Sequence, residues 1–189
     1  MNRFRRWTIS VTAVLVCCVA VAQDKAKETQ VVAIKDIKLT VPKAWKQEEP
    51  SNQLRLTQFK LAAAEGDKDA AELAISQFGG GGGAVGDNIK RWLNQFDAKD
   101  RKSKITKGNS SQGQYVLVDL TGTYIPAPFE KKKGPIAGQR MLAVMLTIED
   151  KGIYFLKLLG PEKTVTESAT ALRASFGAKS DEEKEFKPE

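Results

Sequence analysis

The chain has 189 residues, of which 41% are hydrophobic and 28% charged, and its formal net charge is +7. This balance is typical of a folded globular protein and excludes a fibrous or fully disordered chain. The sequence contains no histidine, and its two cysteines, Cys17 and Cys18, lie near the amino terminus. Histidine-dependent catalysis is therefore excluded, as is a zinc–thiolate site in the rest of the chain.

Residues 1–22 have the pattern of a secretory signal peptide. Three arginines within the first six residues precede an uncharged stretch, which closes on the small residues Ala20 and Ala22. The uncharged run of about 14 residues is shorter than the roughly 20 that a membrane-spanning helix needs. We predict cleavage between Ala22 and Gln23, and export to the periplasm or the extracellular space. The mature chain would keep 167 residues and a formal charge of +4.

Two other fates of the amino terminus remain open. An uncleaved signal would act as a membrane anchor, and only in that case do we expect the protein to be membrane-associated. Lipid modification at Cys17 or Cys18 is disfavoured, because the residue before the modified cysteine should be small and Val16 precedes Cys17.

The pattern of the mature chain predicts a single α+β domain over residues 34–177. It follows a flexible lead-in at 23–33 and precedes a charged, disordered tail at 178–189. Several predicted strands are apolar on both faces, which is typical of strands covered on both sides. Most connections are short hairpins, such as the turn at Asp150 to Gly152, so we expect a mainly antiparallel sheet with helices packed on it. The predicted strands are 34–41, 54–61, 72–78, 105–109, 114–124, 140–149 and 153–159, and the predicted helices are 85–96 and 164–176, the second capped by Thr164 or Thr166.

Five consecutive glycines, residues 79–83, stand before the first predicted helix. A phosphate-binding loop would need a lysine and a hydroxyl residue after the glycines, whereas here Asp87 follows and would repel a phosphate. We therefore interpret the run as a flexible strand-to-helix connection. A contact of its backbone amides with an anion or a peptide remains the alternative.

A set of motifs between residues 34 and 176 resembles a family of uncharacterised bacterial exported proteins. That family is similar to the PsbP-like/Mog-like fold, an α/β/α sandwich with an antiparallel sheet. The resemblance implies an extrinsic assembly or binding role, as in photosystem accessory subunits and a Ran-binding factor, and no enzymatic activity. Serine is common in the family where Ala84 stands, which implies a helix without a side-chain cap. The motifs are Val41-Pro42 followed by Trp45, the 72–78 strand, the glycine run, Asn88-x-x-Arg91-Trp92-x-x-Gln95-Phe96, Gly122-x-Tyr124 and Lys157-x-x-Gly160-Pro161-x-x-Thr164-Val165.

Two groups of residues are candidate binding sites. The first lies on the predicted helix. In one interpretation its tryptophan is part of the core and the polar neighbours are solvated; in the other the group contacts a ligand, since Arg beside Trp is common in interfaces. The second is a lysine run in the proline-rich loop 125–139, which is either a solvated insertion or a contact with an acidic partner or anionic surface. The candidates are Asn88, Arg91, Trp92 and Gln95 in the first group, and Lys131, Lys132 and Lys133 in the second.

We expect a non-catalytic binding or accessory protein of the cell envelope that uses no cofactor and no metal. Its partner would be a protein or a small molecule. Nucleic acid is not expected, because only Tyr124 and Phe129 near the lysines could stack on bases. The alternatives are a structural envelope protein and an enzyme that uses carboxylates, for which Glu72 and Asp119 are the acids to inspect.

Overall fold

The computed structural model describes residues 28–78, 82–128 and 134–188, so the predicted signal peptide lies outside the described residues. Within them the chain forms ten strands, two α-helices and a short 3₁₀ helix. The strands are β1 (Thr29–Ile34), β2 (Ile37–Pro42), β3 (Lys46–Glu48), β4 (Arg55–Leu61), β5 (Ala71–Gln77), β6 (Lys102–Asn109), β7 (Gln114–Tyr124), β8 (Ile136–Ile148), β9 (Gly152–Pro161) and β10 (Lys184–Glu185), and the helices are α1 (Val85–Leu93), α2 (Glu162–Ser175) and the 3₁₀ helix Ser180–Glu182.

The main sheet has eight strands in the order β10-β6-β7-β8-β9-β5-β4-β3. Every neighbouring pair is antiparallel. Strands β6 to β9 follow one another as hairpins, and β9 then returns to pair with β5. Strands β1 and β2 form a separate hairpin. The predicted α+β class, with a mainly antiparallel sheet flanked by helices, is confirmed.

A hydrophobic core lies on each face of the sheet. On the first face, α2 and the β1–β2 hairpin pack against the sheet through residues such as Leu39, Leu156 and Leu172. On the second face, α1 packs through Ile89 and Trp92. Burial of one such large side chain contributes about 1.5–3 kcal/mol. Since both cores use strands β7 to β9, those strands must be apolar on both faces, as their sequences are.

The predicted flexible lead-in at residues 23–33 is wrong from Thr29 onward. Residues 29–34 form β1, which pairs with β2 along its whole length. The chain reverses direction between the two strands at Lys35, whose φ of 51° is in the left-handed region. The predicted strand 34–41 is thus the second arm of a hairpin. Alternation explains why β1 is ordered: Ile34 is buried in the first core and Val32 packs against it, while Val31 remains 67% exposed.

The predicted disordered tail at residues 178–189 is also wrong. The tail forms the 3₁₀ helix and β10, which adds to the sheet beside β6. Between them, the Glu183 carboxylate accepts hydrogen bonds from Arg173 Nε (2.7 Å), Tyr115 Oη (2.9 Å) and Thr106 Oγ1 (3.1 Å). A charged segment is normally solvated, but one carboxylate can be buried when a cation and further donors compensate the lost hydration.

The helix ends differ in detail from the predicted ones. Helix α2 begins at Glu162 after Pro161, earlier than the predicted threonine caps. The Asp67 carboxylate, from the loop between β4 and β5, accepts the backbone N–H of Thr164 at 2.9 Å and its hydroxyl at 2.6 Å, so the cap is supplied from a distant loop. Helix α1 has no side-chain cap at Ala84, as expected, and ends at Leu93, three residues before the predicted end.

Candidate functional site

Helix α1 covers only half of the second face of the sheet. Eight strands at about 4.8 Å spacing span roughly 34 Å, whereas a nine-residue helix is about 14 Å long and 10–12 Å wide. Among the described residues, the strand side chains packed beneath α1 come from β6 to β9, and none comes from β3, β4 or β5. No helix in the described part of the chain therefore covers the second face of those three strands.

We call this surface the open sheet face. Its members follow from the strand register, since side chains of paired residues project to the same side of a sheet. It carries four cationic and two anionic groups around a floor of small residues. The open sheet face consists of Lys46 and Glu48 on β3, Arg55 and Lys60 on β4, Glu72, Ala74 and Ser76 on β5, and Lys157 on β9.

The guanidinium of Arg55 is fixed in this surface by two acceptors. Its Nη1 donates to Glu72 Oε1 and to Gln58 Oε1, each at 2.7 Å. Its Nε and Nη2 donate to no acceptor among the described residues, and the side chain is 22% exposed. Because both protons of Nη1 are used, the Nε–Nη2 edge is the donor pair that remains for a ligand.

One border of the open sheet face is the loop between β3 and β4. The backbone N–H of Ser51 donates to Gln58 Oε1 at 2.9 Å, so this loop lies against β4. That contact contributes to the burial of Gln58, which is only 5% exposed. Leu54, at the end of the loop, is 64% exposed.

The other border is the flank of α1 and the segment after it. Lys157 Nζ donates to Gln95 Oε1 at 2.8 Å and lies 5.4 Å from the centre of the Tyr124 ring. The backbone carbonyl of Gln95 accepts the N–H of Ile125 at 2.8 Å. Gln95 therefore joins the segment after α1 to β9 and to the end of β7, where the 125–139 loop begins.

Asn88 holds the start of α1 against Gly82 and Gly83, the two glycines of the run that the structure describes. Its side chain is 2% exposed, and its Nδ2 donates to the carbonyl oxygens of Gly82 (2.9 Å) and Ala84 (3.0 Å). Its Oδ1 accepts a hydrogen bond from Arg91, which is exposed on the same flank. The amide of Asn88 is thus occupied by local structure, and of this pair only Arg91 faces solvent.

Trp92 is part of the second core. It is 4% exposed, and its ring meets that of Phe155 edge-on at a centroid distance of 6.2 Å. Gly82, with a φ of 72°, lies so close to Phe155 that an added Cβ would be 2.6 Å from the ring, so a side chain is not tolerated there.

The predicted site residues Lys131, Lys132 and Lys133 and glycines 79–81 lie outside the described residues.

The two acids considered for catalysis lie on opposite faces of the sheet. Glu72 is on the open sheet face, paired with Arg55. Asp119 faces the first core, where its carboxylate accepts Arg140 Nε (2.9 Å) and Nη2 (2.7 Å). This hydrogen-bonded pair raises the pKa of Arg140 above its ordinary value. The two carboxylates therefore do not converge on one site.

Neither a metal centre nor a membrane span is found in the part of the chain that the structure describes. No group of three or more acidic, histidine or cysteine side chains there could hold a metal ion. None of the helices there is both long enough and apolar enough to cross a membrane.

The residues of the open sheet face do not form a cluster along the chain, so the sequence did not predict this surface. A periodic signal was present in β5, where Glu72, Ala74 and Ser76 alternate with Leu73 and Ile75. Such alternation predicts one solvent-facing side. Lys157 lies about 80 residues further along the chain than β5. Only the pairing of β5 with β9 shows that it belongs to this surface.

Comparison with known proteins finds similarity among solved structures but not among sequences. No protein-family model matches the sequence, and no curated protein sequence matches it. Among solved structures, the chain is similar to the solution structure of cyanobacterial PsbP from Synechocystis sp. PCC 6803, with 13% sequence identity and a TM-score of 0.49. The match covers 92% of this chain and 100% of that one.

Proposed function

We propose that this protein is an exported, non-catalytic binding or accessory protein of the bacterial cell envelope, and that the open sheet face is its working surface. The observation that carries the proposal is the division of the second face of the sheet. One half is covered by α1, and the other presents charged and small side chains that no helix of the described ranges covers.

Two further observations support a binding role. Arg55 is held by Glu72 and Gln58 with one donor edge unused, which is the arrangement of a preorganised contact. Arg91, on the flank of α1 that borders this surface, is exposed. Exposed arginine with a fixed neighbour is a frequent contributor to binding energy in interfaces.

A carboxylate-dependent enzyme is less well supported. General acid–base catalysis needs two groups within reach of one substrate. Glu72 and Asp119 lie on opposite faces, and each is neutralised by an arginine. A structural envelope role is the other alternative, and it predicts no preference of partners for the open sheet face.

Site-directed photo-crosslinking in cells tests the working surface. A photoreactive residue replaces Lys60, which is exposed on the open sheet face, or Thr170, which is exposed on α2 at the opposite face. We expect a reproducible crosslinked species from position 60 and none from position 170. Equal crosslinking at both positions, or none at either, would contradict the proposal.

Export is tested separately by amino-terminal sequencing of protein from the exported fraction. We expect the mature protein to begin at Gln23. Retention of Met1 in a membrane pellet would instead support the uncleaved anchor.

A further inference from the structure

We propose that the ligand of the open sheet face is an extended acidic segment of a partner protein, with Arg55 as the anchor for one of its carboxylates. This inference rests on the proposed binding function and names the chemistry of the partner. It is carried by the geometry of Arg55 and by the charge of the surface around it.

Arg55 presents a two-point donor for a carboxylate. The Nε and Nη2 groups, which donate to no acceptor in the described ranges, lie on one edge of the planar guanidinium, and their spacing matches the two oxygens of a carboxylate. The other edge is restrained by two 2.7 Å hydrogen bonds, so little side-chain entropy is lost when a ligand binds. Lysine at this position would keep the charge but not the fork.

The surroundings of Arg55 favour an extended segment with more than one acid. Lys60 is exposed on the same strand, and Lys46, also exposed, lies directly opposite it on β3. Neighbouring strands are about 4.8 Å apart, so these cations are spaced on the scale of successive side chains in an extended peptide. Ala74, on the strand at the other side of β4, is small enough to allow a backbone to approach the floor beside them.

Two features favour a peptide over nucleic acid. The open sheet face has no aromatic side chain on which bases could stack; among the described residues nearby, Tyr124 is already covered by Lys157. Glu48 interrupts the positive charge and would repel a continuous phosphate backbone. Separate carboxylates on a flexible segment can avoid Glu48, and the one bound at Arg55 takes the guanidinium edge that Glu72 does not use.

Titration of the full-length mature protein with defined probes tests the inference. The probe is a fluorescein-labelled decamer of glutamate, and a decamer of glutamine and a thymidine decanucleotide are the comparison ligands. We expect the glutamate peptide to bind, the affinity to fall as salt is added, and the glutamine peptide not to bind. Tighter binding of the oligonucleotide than of the glutamate peptide would overturn the inference in favour of a nucleic-acid surface.

Matched variants assign the binding to Arg55 and its face. Arg55→Lys keeps the charge and should weaken binding of the glutamate peptide about tenfold, because a two-point hydrogen bond to a charged group is lost. Lys60→Gln should weaken it several-fold, on the order of one exposed ion pair. Lys68→Gln makes the same charge change in the loop that contacts the start of α2, and should leave affinity unchanged. Equal effects of the two lysine variants would mean that the peptide responds to net charge alone, which refutes the inference.

The inference and the proposed function fail in distinguishable ways. If position 60 crosslinks to a partner but the glutamate peptide does not bind, the surface is a binding site for a different chemistry and only the inference is wrong. If Arg55→Lys lowers the urea midpoint of unfolding, Lys60→Gln still provides the test, because Lys60 is exposed and makes no ion pair among the described residues.

Discussion

Replacing Glu183 by glutamine should loosen the carboxy-terminal segment from the sheet. The substitution keeps the size of the side chain and removes its charge. In the native protein the Glu183 side chain is 11% exposed and pairs with Arg173, itself 20% exposed, while Tyr115 and Thr106 donate to the same carboxylate. The variant leaves the Arg173 charge half-buried without its counter-ion.

The size of the effect follows from these contacts. A hydrogen bond to a charged group contributes about 1.5–3 kcal/mol, and the amide oxygen of glutamine can still accept hydrogen bonds at one of the two carboxylate oxygen positions. We therefore expect Glu183→Gln to lower the free energy of unfolding by about 2 kcal/mol at pH 7. For a domain of this size that corresponds to a decrease in Tm of about 4–8 °C.

The loss should depend on pH in a defined direction. Burial of Glu183 would raise its pKa, but the hydrogen bond and the charge of Arg173, with the bonds from Tyr115 and Thr106, together hold the pKa below its ordinary value. Stability from such a carboxylate is fully present above the unfolded-state pKa of about 4.3 and disappears as the pH falls through the folded-state pKa. The difference between the native protein and Glu183→Gln should therefore close in strong acid.

Urea unfolding at pH 7 and at pH 3 measures both parts of this prediction. Glu182→Gln is the matched control, because Glu182 is 48% exposed and its pair with Lys179 at 3.4 Å is a surface ion pair worth less than about 1 kcal/mol. An equal loss for the two variants at pH 7 would refute the assignment of Glu183 as the anchor. A loss for Glu183→Gln that is as large at pH 3 as at pH 7 would show that charge is not the cause.

The remaining predictions concern the second core and the sheet, and urea unfolding measures each of them. Trp92→Ala should cost about 3–5 kcal/mol, because it removes a large side chain that is 4% exposed and packed on Phe155; an unchanged midpoint would mean that the tryptophan is not core. From the sequence alone, Arg91→Ala on the helix flank should change stability by no more than about 0.5 kcal/mol. The structure raises the expected loss of stability for Arg91→Ala to about 1 kcal/mol, because the buried Oδ1 of Asn88 loses its donor. A loss below about 0.3 kcal/mol would contradict this larger value. Gly160→Ala would place a Cβ 2.5 Å from the Cβ of Ala71 on the neighbouring strand and should cost about 1–3 kcal/mol, whereas a neutral result would mean that the two strands can separate.

Local periodicity in the sequence was enough to predict the class of the fold. The apolar spacing of Val85, Ile89, Trp92 and Phe96 repeats every 3.6 residues, and it predicted both the existence of α1 and the face that it buries. The doubly apolar strands predicted a sheet covered on both sides, and the short connections predicted antiparallel pairing. These features depend on neighbours along the chain, so they are visible without a structure.

The ends of the domain could not be predicted in the same way. Residues around Thr29 and Glu183 are polar enough to be read as solvated termini. Each is ordered by partners far away in sequence: β1 by the first core, and Glu183 by Tyr115 and Thr106 some 70 residues earlier. Only the tertiary structure supplies the cation and the donors that make burial of a carboxylate favourable.

In the candidate site too, local spacing predicted some residues and long-range strand pairing brought the others together. The helical spacing of the sequence identified Arg91 on the flank of α1 and Gln95 just beyond its end, because residues four apart on a helix are neighbours. It could not find the open sheet face, because Arg55, Glu72 and Lys157 come from three strands whose order is set by pairing across the whole chain. Periodicity determined which side chains of each strand face solvent, and the sheet register alone decided which of them stand together, since register is fixed by long-range hydrogen bonds and packing rather than by any local preference.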